Sequence, residues 1–165
     1  MKKKNGGPSP FPFFRAFRGV EFDISELSFS SYLVKASRGE SPYVAVPVFL
    51  SRAFRHTSIY VRKDRIGRPE DLKGRRVGVP EYQLTANVWA RALLQDDFGV
   101  HPRDVIWVRG GIESPGRAEK IALDLPADVR IEDAGPGETI SALLARGQID
   151  AMIGPRAPLG FGSDP

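Results

Sequence analysis

The amino-acid sequence predicts an α/β fold built around a mainly parallel β-sheet. Short apolar segments typical of buried strands, such as Arg76–Val79 and residues 149–153, alternate with segments of helical periodicity. Gly99 and Gly147 follow two of these helical segments, and glycine commonly ends a helix. Strands that alternate with helices at this spacing indicate crossover units packed on a parallel sheet.

The first part of the chain carries three predicted strands and one predicted helix. Residues 20–27 (VEFDISEL) alternate apolar and polar side chains, and residues 43–50 (YVAVPVFL) form an apolar run that Pro47 makes an edge or irregular strand. The serines of SFSS at residues 28–31 offer N-cap hydroxyls for a helix through residues 32–37, which Gly39 closes. The third strand is predicted at residues 58–62 (SIYVR).

The rest of the chain gives the clearer pattern. Pro69–Leu72 is predicted to form one helical turn, and Arg76–Val79 a strand. Apolar residues recur at i, i+4, i+8 and i+9 from Leu84, which predicts a helix over residues 84–98. Residues 117–123 are predicted to be a weak helix or an irregular segment. The remaining predicted elements are strands at 105–108, 129–131 and 149–153 and a helix at 138–146.

The composition excludes several classes of function. The 165 residues include no cysteine and two histidines, His56 and His101, so disulfide scaffolds, thiol nucleophiles and multi-histidine metal sites are excluded. No apolar run reaches the ~20 residues of a membrane span. The net charge of +4 includes three lysines at residues 2–4, and the other cations are dispersed, so we expect neither nucleic-acid nor membrane partners. The basic start lacks the apolar segment of a signal peptide, which favours the cytoplasm.

Several long motifs resemble one enzyme family. RPEDLKGRRVGVPEY at residues 68–82 and ALLARGQIDAMIG at residues 142–154 resemble segments of type II periplasmic-binding-protein-like folds. More specific are PVFLSRAFRHTS at residues 47–58, VPEYQLTANVWAR at residues 79–91 and RGGIESPGRAEK at residues 109–120. Together these segments resemble the 4,5-dihydroxyphthalate decarboxylase family, from about Phe17 to Pro158.

The resemblance implies a fold, a domain division and an activity. It implies a periplasmic-binding-protein-like chain with one near-complete lobe and part of a second. The divisions are a leader at 1–16, a partial first lobe and crossover at 17–62, the second lobe at 63–158 and a tail at 159–165. The implied reaction converts 4,5-dihydroxyphthalate to protocatechuate, with a small aromatic dicarboxylate as substrate, no cofactor and a homo-oligomer left open. The alternatives are a non-catalytic binding protein for an aromatic or sulfonate-like anion and an inactive, truncated fragment.

The segment SRAFRHTS at residues 51–58 is the densest cluster of chemistry-bearing side chains. Arg52 and Arg55 suit a dianionic substrate, because the planar guanidinium binds carboxylates through two hydrogen bonds. Histidine is the side-chain type suited to proton transfer under physiological conditions, so we assign His56 as the acid that protonates the aromatic ring. The alternative is a solvated basic loop with a capped turn.

A second cluster follows the strand Arg76–Val79, where a loop leads into the predicted helix. Helix N-termini bind anions, and ligands of open α/β sheets lie beyond the carboxyl ends of the strands. We therefore expect Gln83 and Thr85 to bind a carboxylate and Tyr82 to stack on an aromatic ring, unless Gln83 and Thr85 only cap the helix. Ser30 and Ser31 are binding candidates in the first lobe under the same alternative.

Two further residues complete the predicted site. Glu81 is a candidate acceptor for a catechol hydroxyl, with a structural ion pair as the alternative. Arg109 follows a strand and is a candidate carboxylate ligand, with an ordinary surface arginine as the alternative. We expect residues of the three segments to converge on one cleft, with no metal ligands. These residues are Arg52, Arg55, His56, Tyr82, Thr85 and Arg109.

Overall fold

The computed structural model describes residues 15–16, 19–48 and 53–162. The chain divides into two compact units, Met1–Arg52 and Ala53–Pro165. The division into lobes at residues 17–62 and 63–158 stays a prediction. None of the helices in the described ranges is both long and apolar enough to cross a membrane.

The described residues of the second unit form one five-stranded sheet. Its order is β1-β5-β2-β3-β4, so the last of these five strands lies between the first two. β5 runs antiparallel to β1 and parallel to β2, and β3 and β4 continue in parallel. The predicted α/β class with a mainly parallel sheet is confirmed. The strands are β1 (Ile59–Val61), β2 (Arg76–Val79), β3 (Ile106–Arg109), β4 (Arg130–Asp133) and β5 (Ala151–Ile153).

Three α-helices lie wholly within the described residues, and all three were predicted. Each ends before a glycine in the left-handed region, at Gly39, Gly99 and Gly147, with φ of 68°, 62° and 69°. Residues 117–123 form no helix, so the irregular alternative holds there. The α-helices are α1 (Phe29–Ser37), α2 (Thr85–Phe98) and α3 (Ile140–Ala145), with 3₁₀ turns at Arg55–Ser58, Pro69–Leu72 and Pro102–Asp104.

The strands place α2 and α3 on opposite faces of the sheet. Val77 and Val79 of β2 belong to the same apolar cluster as Leu94 of α2. A Cβ built on Gly78, between those two valines, would meet Ile140 of α3 instead. Because successive residues of a strand point to opposite faces, the sheet becomes the middle of three layers.

The buried face of α2 is offset from the predicted apolar stripe. Val88, which belongs to that stripe, is 40% exposed. The buried face instead includes two polar side chains, Asn87 and Arg91, one turn apart. Apolar periodicity identifies the helix but overlooks polar residues on its buried side. The buried residues are Ala86, Asn87, Ala90, Arg91 and Leu94.

Two predicted strands of the first unit are wrong over their described residues. Residues 20–27 and 43–48 form no strand, and Phe49 and Leu50 lie outside the described residues. A strand is stabilised by hydrogen bonds to a neighbour, and the described part of this unit contains no strand with which either could pair. Val44, Val46 and Val48 are exposed here, Val44 by 90%. Alternation at 20–27 and the apolar run at 43–50 therefore indicated strands for which the described residues of this unit provide no partner.

We expect Gly78→Ala to destabilise the second unit by about 1–3 kcal/mol, the usual cost of overpacking a core. The added Cβ would lie 2.5 Å from Ile140 Cγ2 and 2.8 Å from Ile149 Cδ1. Gly67→Ala is the matched control, because its Cβ would have Asp71 Oδ2, at 3.6 Å, as its neighbour. Urea unfolding should show a lower midpoint for Gly78→Ala alone. Equal midpoints would contradict the packing of α3 on β2.

Candidate functional site

A pocket of about 230 Å³ opens at the carboxyl ends of β3 and β4. Arg109 and Asp133 are the last residues of these strands and are paired in register. The wall also includes Arg117, from the irregular segment that follows β3. This is the edge of a parallel sheet where ligands ordinarily bind. The other lining residues are Gly110, Gly116, Ala118 and Ala134.

Arg109 is held at the pocket by two carboxylates. Its Nε donates to Asp133 Oδ1 at 2.7 Å and its Nη2 to Asp133 Oδ2 at 3.0 Å. Nη1 lies 3.7 Å from Glu119 Oε1. The hydrogen bond to Asp133 raises the pKa of Arg109, and the same bond lowers the pKa of Asp133. Arg109 therefore remains a cation with a fixed orientation.

Glu81 forms a buried ion pair rather than lying open to the pocket. Its side chain is fully buried. Oε1 accepts from Arg117 Nε at 2.8 Å, and Oε2 accepts from Lys120 Nζ at 2.6 Å. The structural ion pair, left as an alternative from the sequence, is what the structure contains. The role of Glu81 as a hydroxyl acceptor stays a prediction.

A carboxylate of the protein itself occupies the loop that the sequence marked as an anion site. Glu119 Oε1 accepts from the backbone N–H of Tyr82 at 2.5 Å, and Oε2 accepts from that of Gln83 at 3.5 Å. The backbone amides of the loop between β2 and α2 thus hold a carboxylate of the chain itself, and the part of this loop in binding a substrate anion stays a prediction. The sequence analysis missed Glu119, because an irregular segment has no periodicity that shows where its side chains point.

Tyr82, in the loop between β2 and α2, has its ring in the apolar core. Its ring packs edge-on against Trp107, with centroids 5.7 Å apart, and the Arg91 guanidinium lies 3.7 Å from the ring centre. Burial raises the pKa of the Tyr82 phenol and lowers the pKa of Arg91 to about 10. The ring therefore already has partners, and its predicted stacking on a substrate stays a prediction. Gln83 is buried and Thr85 begins α2.

The structure does not bring His56 together with the loop before α2. His56 lies in the 3₁₀ turn Arg55–Ser58, and its Nε2 is 3.6 Å from Asp97 Oδ2. Asp97 lies twelve residues beyond Thr85 on α2, or about 18 Å along a helix that rises 1.5 Å per residue. Arg55 begins the same 3₁₀ turn, and Arg52 lies outside the described residues.

Ser30 and Ser31 lie in the other unit. Both are buried in the first turn of α1, after the N-cap residue Ser28. Ser30 Oγ lies 3.4 Å from Ser28 Oγ. Their part in binding an anion stays a prediction. In the part of the chain that the structure describes, no group of three His, Asp or Glu side chains is placed to hold a metal ion.

The chain is similar to two known enzymes. It is 64% identical over 150 residues to 4,5-dihydroxyphthalate decarboxylase of Pseudomonas putida, and 63% identical over 150 residues to that of Comamonas testosteroni. The resemblance to this family is confirmed. Each match covers 90% of the chain but only 58% and 46% of the two enzymes, so the chain spans about half the length of these curated relatives. No family model matches the chain.

Proposed function

We propose that the chain is part of a decarboxylase that acts on 4,5-dihydroxyphthalate. The observation that carries this proposal is the pair of guanidiniums, Arg109 and Arg117, on the wall of one pocket. A substrate with two carboxylates on adjacent ring carbons suits two such cations by its charge. Asp133 and Glu81 already accept hydrogen bonds from the Nε side of the two guanidiniums, so the substrate would meet the remaining N–H groups. Both arginines lie in the RGGIESPGRAEK segment that supports the family resemblance.

This reaction needs an acid that protonates the ring carbon, an acceptor for a hydroxyl proton, and cations for the carboxylates. The bond from the ring to one carboxylate breaks and carbon dioxide leaves, while a proton takes its place on the ring carbon. A hydroxyl para to that carbon supplies electron density as it gives its own proton to an acceptor. Cations hold the carboxylate that stays and orient the one that leaves, and Arg109 and Arg117 share these two roles in the proposal.

The finer fold class is also part of the proposal. We infer a type II periplasmic-binding-protein-like lobe for the second unit. Support comes from residues 68–82 and 142–154, the two segments that resemble this class. They contain β2 and β5, which pair in parallel at the centre of the sheet.

The test is an assay of carbon dioxide and protocatechuate formed from 4,5-dihydroxyphthalate by the 165-residue chain. Stoichiometric release of both products supports the decarboxylase. Binding of the acid, seen by calorimetry, without any product would favour the alternative of a non-catalytic binding protein. If the chain neither binds the acid nor forms either product, the proposal for this chain is contradicted.

His56 is the group that the sequence hypothesis assigns to ring protonation. Loss of such an acid would lower turnover by roughly 10²–10⁴-fold. Its position beside Asp97, far along α2 from Thr85, leads us to expect His56→Ala to turn over near the wild-type rate. His101→Ala is the control, because His101 caps the separate turn Pro102–Asp104. A selective large loss in His56→Ala would restore His56 as the acid and move the reaction away from the Arg109 pocket.

A further inference from the structure

Glu119 lies where a carboxylate ligand of this site would be expected. It is largely buried, with 8% of its side chain exposed. Its two oxygens face the amides of Tyr82 and Gln83, and Arg109 lies 3.7 Å away. Two amides and a guanidinium converging on one carboxylate are the elements of an anion subsite. A side chain of the protein fills that subsite in this structure.

Arg91 is an independent sign that the subsite is built for more negative charge. It is 8% exposed, and its Nη1 is buried without a hydrogen-bond partner. Its guanidinium lies over Tyr82, whose amide binds Glu119, and it interacts electrostatically with Glu119. Buried donors are nearly always paired in folded proteins, so an unpaired guanidinium donor points to a missing acceptor.

The charges around the pocket lead to the same conclusion. The described charged residues that the contacts above link around the pocket form one cluster, which holds four cations and three carboxylates. Without Glu119, its four cations would face two carboxylates, an excess that matches the two charges of a dicarboxylate. The members are Arg91, Arg109, Arg117, Lys120, Glu81, Glu119 and Asp133.

We propose that Glu119 occupies the subsite of one substrate carboxylate and must leave it before the substrate binds. This inference rests on the proposed function, which supplies the dicarboxylate. Glu119 belongs to residues 110–129, which form neither helix nor strand, so its departure would break no element of the fold. A molecule in which Glu119 fills the subsite is closed to the ligand. The apparent dissociation constant is therefore the intrinsic one divided by the fraction of molecules in which the subsite is open.

The experiment measures binding of phthalate, a dicarboxylate without the hydroxyls needed for the reaction, by calorimetry on the 165-residue chain. Glu119→Gln removes the competing charge, and we expect the dissociation constant to fall roughly tenfold, as when a closed state of about 90% is abolished. Glu119→Asp keeps the charge but shortens the reach, and its dissociation constant should fall in the same direction. Asp124→Asn, an exposed carboxylate on the same segment, is the control and should bind like the wild type.

Either Glu119 variant decides the question, since one conserves the shape of the side chain and the other its charge. Unchanged or weaker binding of phthalate in the folded variants would overturn the inference and leave Glu119 as a structural cap of the loop. Tighter binding by the Glu119 variants without any carbon dioxide release by the wild type would support the subsite and contradict only the decarboxylase. Carbon dioxide release by the wild type, together with unaltered phthalate binding in the Glu119 variants, would support the decarboxylase and contradict the subsite inference.

Discussion

Glu81→Ala should lower the free energy of unfolding by about 3–5 kcal/mol, the usual cost of removing one partner of a buried ion pair. Glu81 is fully buried and forms ion pairs with both Arg117 and Lys120. Arg117 is 44% exposed and can turn toward water, whereas Lys120 is only 8% exposed. The variant therefore leaves a buried ammonium without its carboxylate. Urea unfolding followed by circular dichroism measures the loss.

Two further variants isolate the cause of that loss. Glu132→Ala removes a glutamate of an exposed pair with Arg76 and should cost no more than about 1 kcal/mol. Adding Lys120→Met to Glu81→Ala removes the stranded charge and should restore part of the stability. Similar losses for Glu81→Ala and Glu132→Ala would show that Glu81 is not a buried charge partner.

Arg109→Ala should lower kcat/KM for 4,5-dihydroxyphthalate by about 10²–10³-fold, the effect of losing one charge-stabilising donor in other enzymes. The last residue of β3 brings this guanidinium to the pocket, and Asp133 fixes its orientation. Arg130→Ala is the matched control, because Arg130 begins β4 and lies at the amino ends of the parallel strands, away from the pocket at their carboxyl ends. Its kcat/KM should equal that of the wild type.

Steady-state kinetics and unfolding curves of both arginine variants separate binding from folding. Asp133 is 67% exposed and Arg109 26%, and Glu119 keeps the amides of Tyr82 and Gln83 as partners when Arg109 is removed. Arg109→Ala should therefore unfold within about 1 kcal/mol of the wild type. A variant that is stable but retains wild-type kcat/KM would remove Arg109 from the substrate site.

The second unit could be predicted from the sequence because its elements obey local rules. β2 has the predicted bounds, and α2 begins one residue after its predicted start and ends before Gly99 as expected. Each follows from a signal within a few residues, such as an apolar run or a glycine suited to positive φ. The strands expected at 20–27 and 43–50 depend instead on a partner elsewhere, and a one-dimensional pattern does not contain that information.

The site was predictable only where it coincides with strand ends. Arg109 ends β3 and the residues from Glu81 to Leu84 follow β2, and the rule that ligands lie beyond the carboxyl ends of strands is what made them candidates. Glu119 and Lys120 reach the same place from an irregular segment, about 37 residues along the chain from Tyr82. The charged run RAEK was visible, but only tertiary folding decides which carboxylate each cation meets.

The insertion of β5 between β1 and β2 has a consequence for synthesis on the ribosome. Val77 of β2 pairs with Ala151 of β5, a separation of 74 residues, and among the described strands β5 is the one that attaches β1 to the sheet. Until residues 151–153 have emerged, β1 has no neighbour and one edge of β2 is open. Such long-range closure slows folding, and unpaired edges attract other chains. A nascent chain of this protein should therefore depend on chaperones until β5 is made.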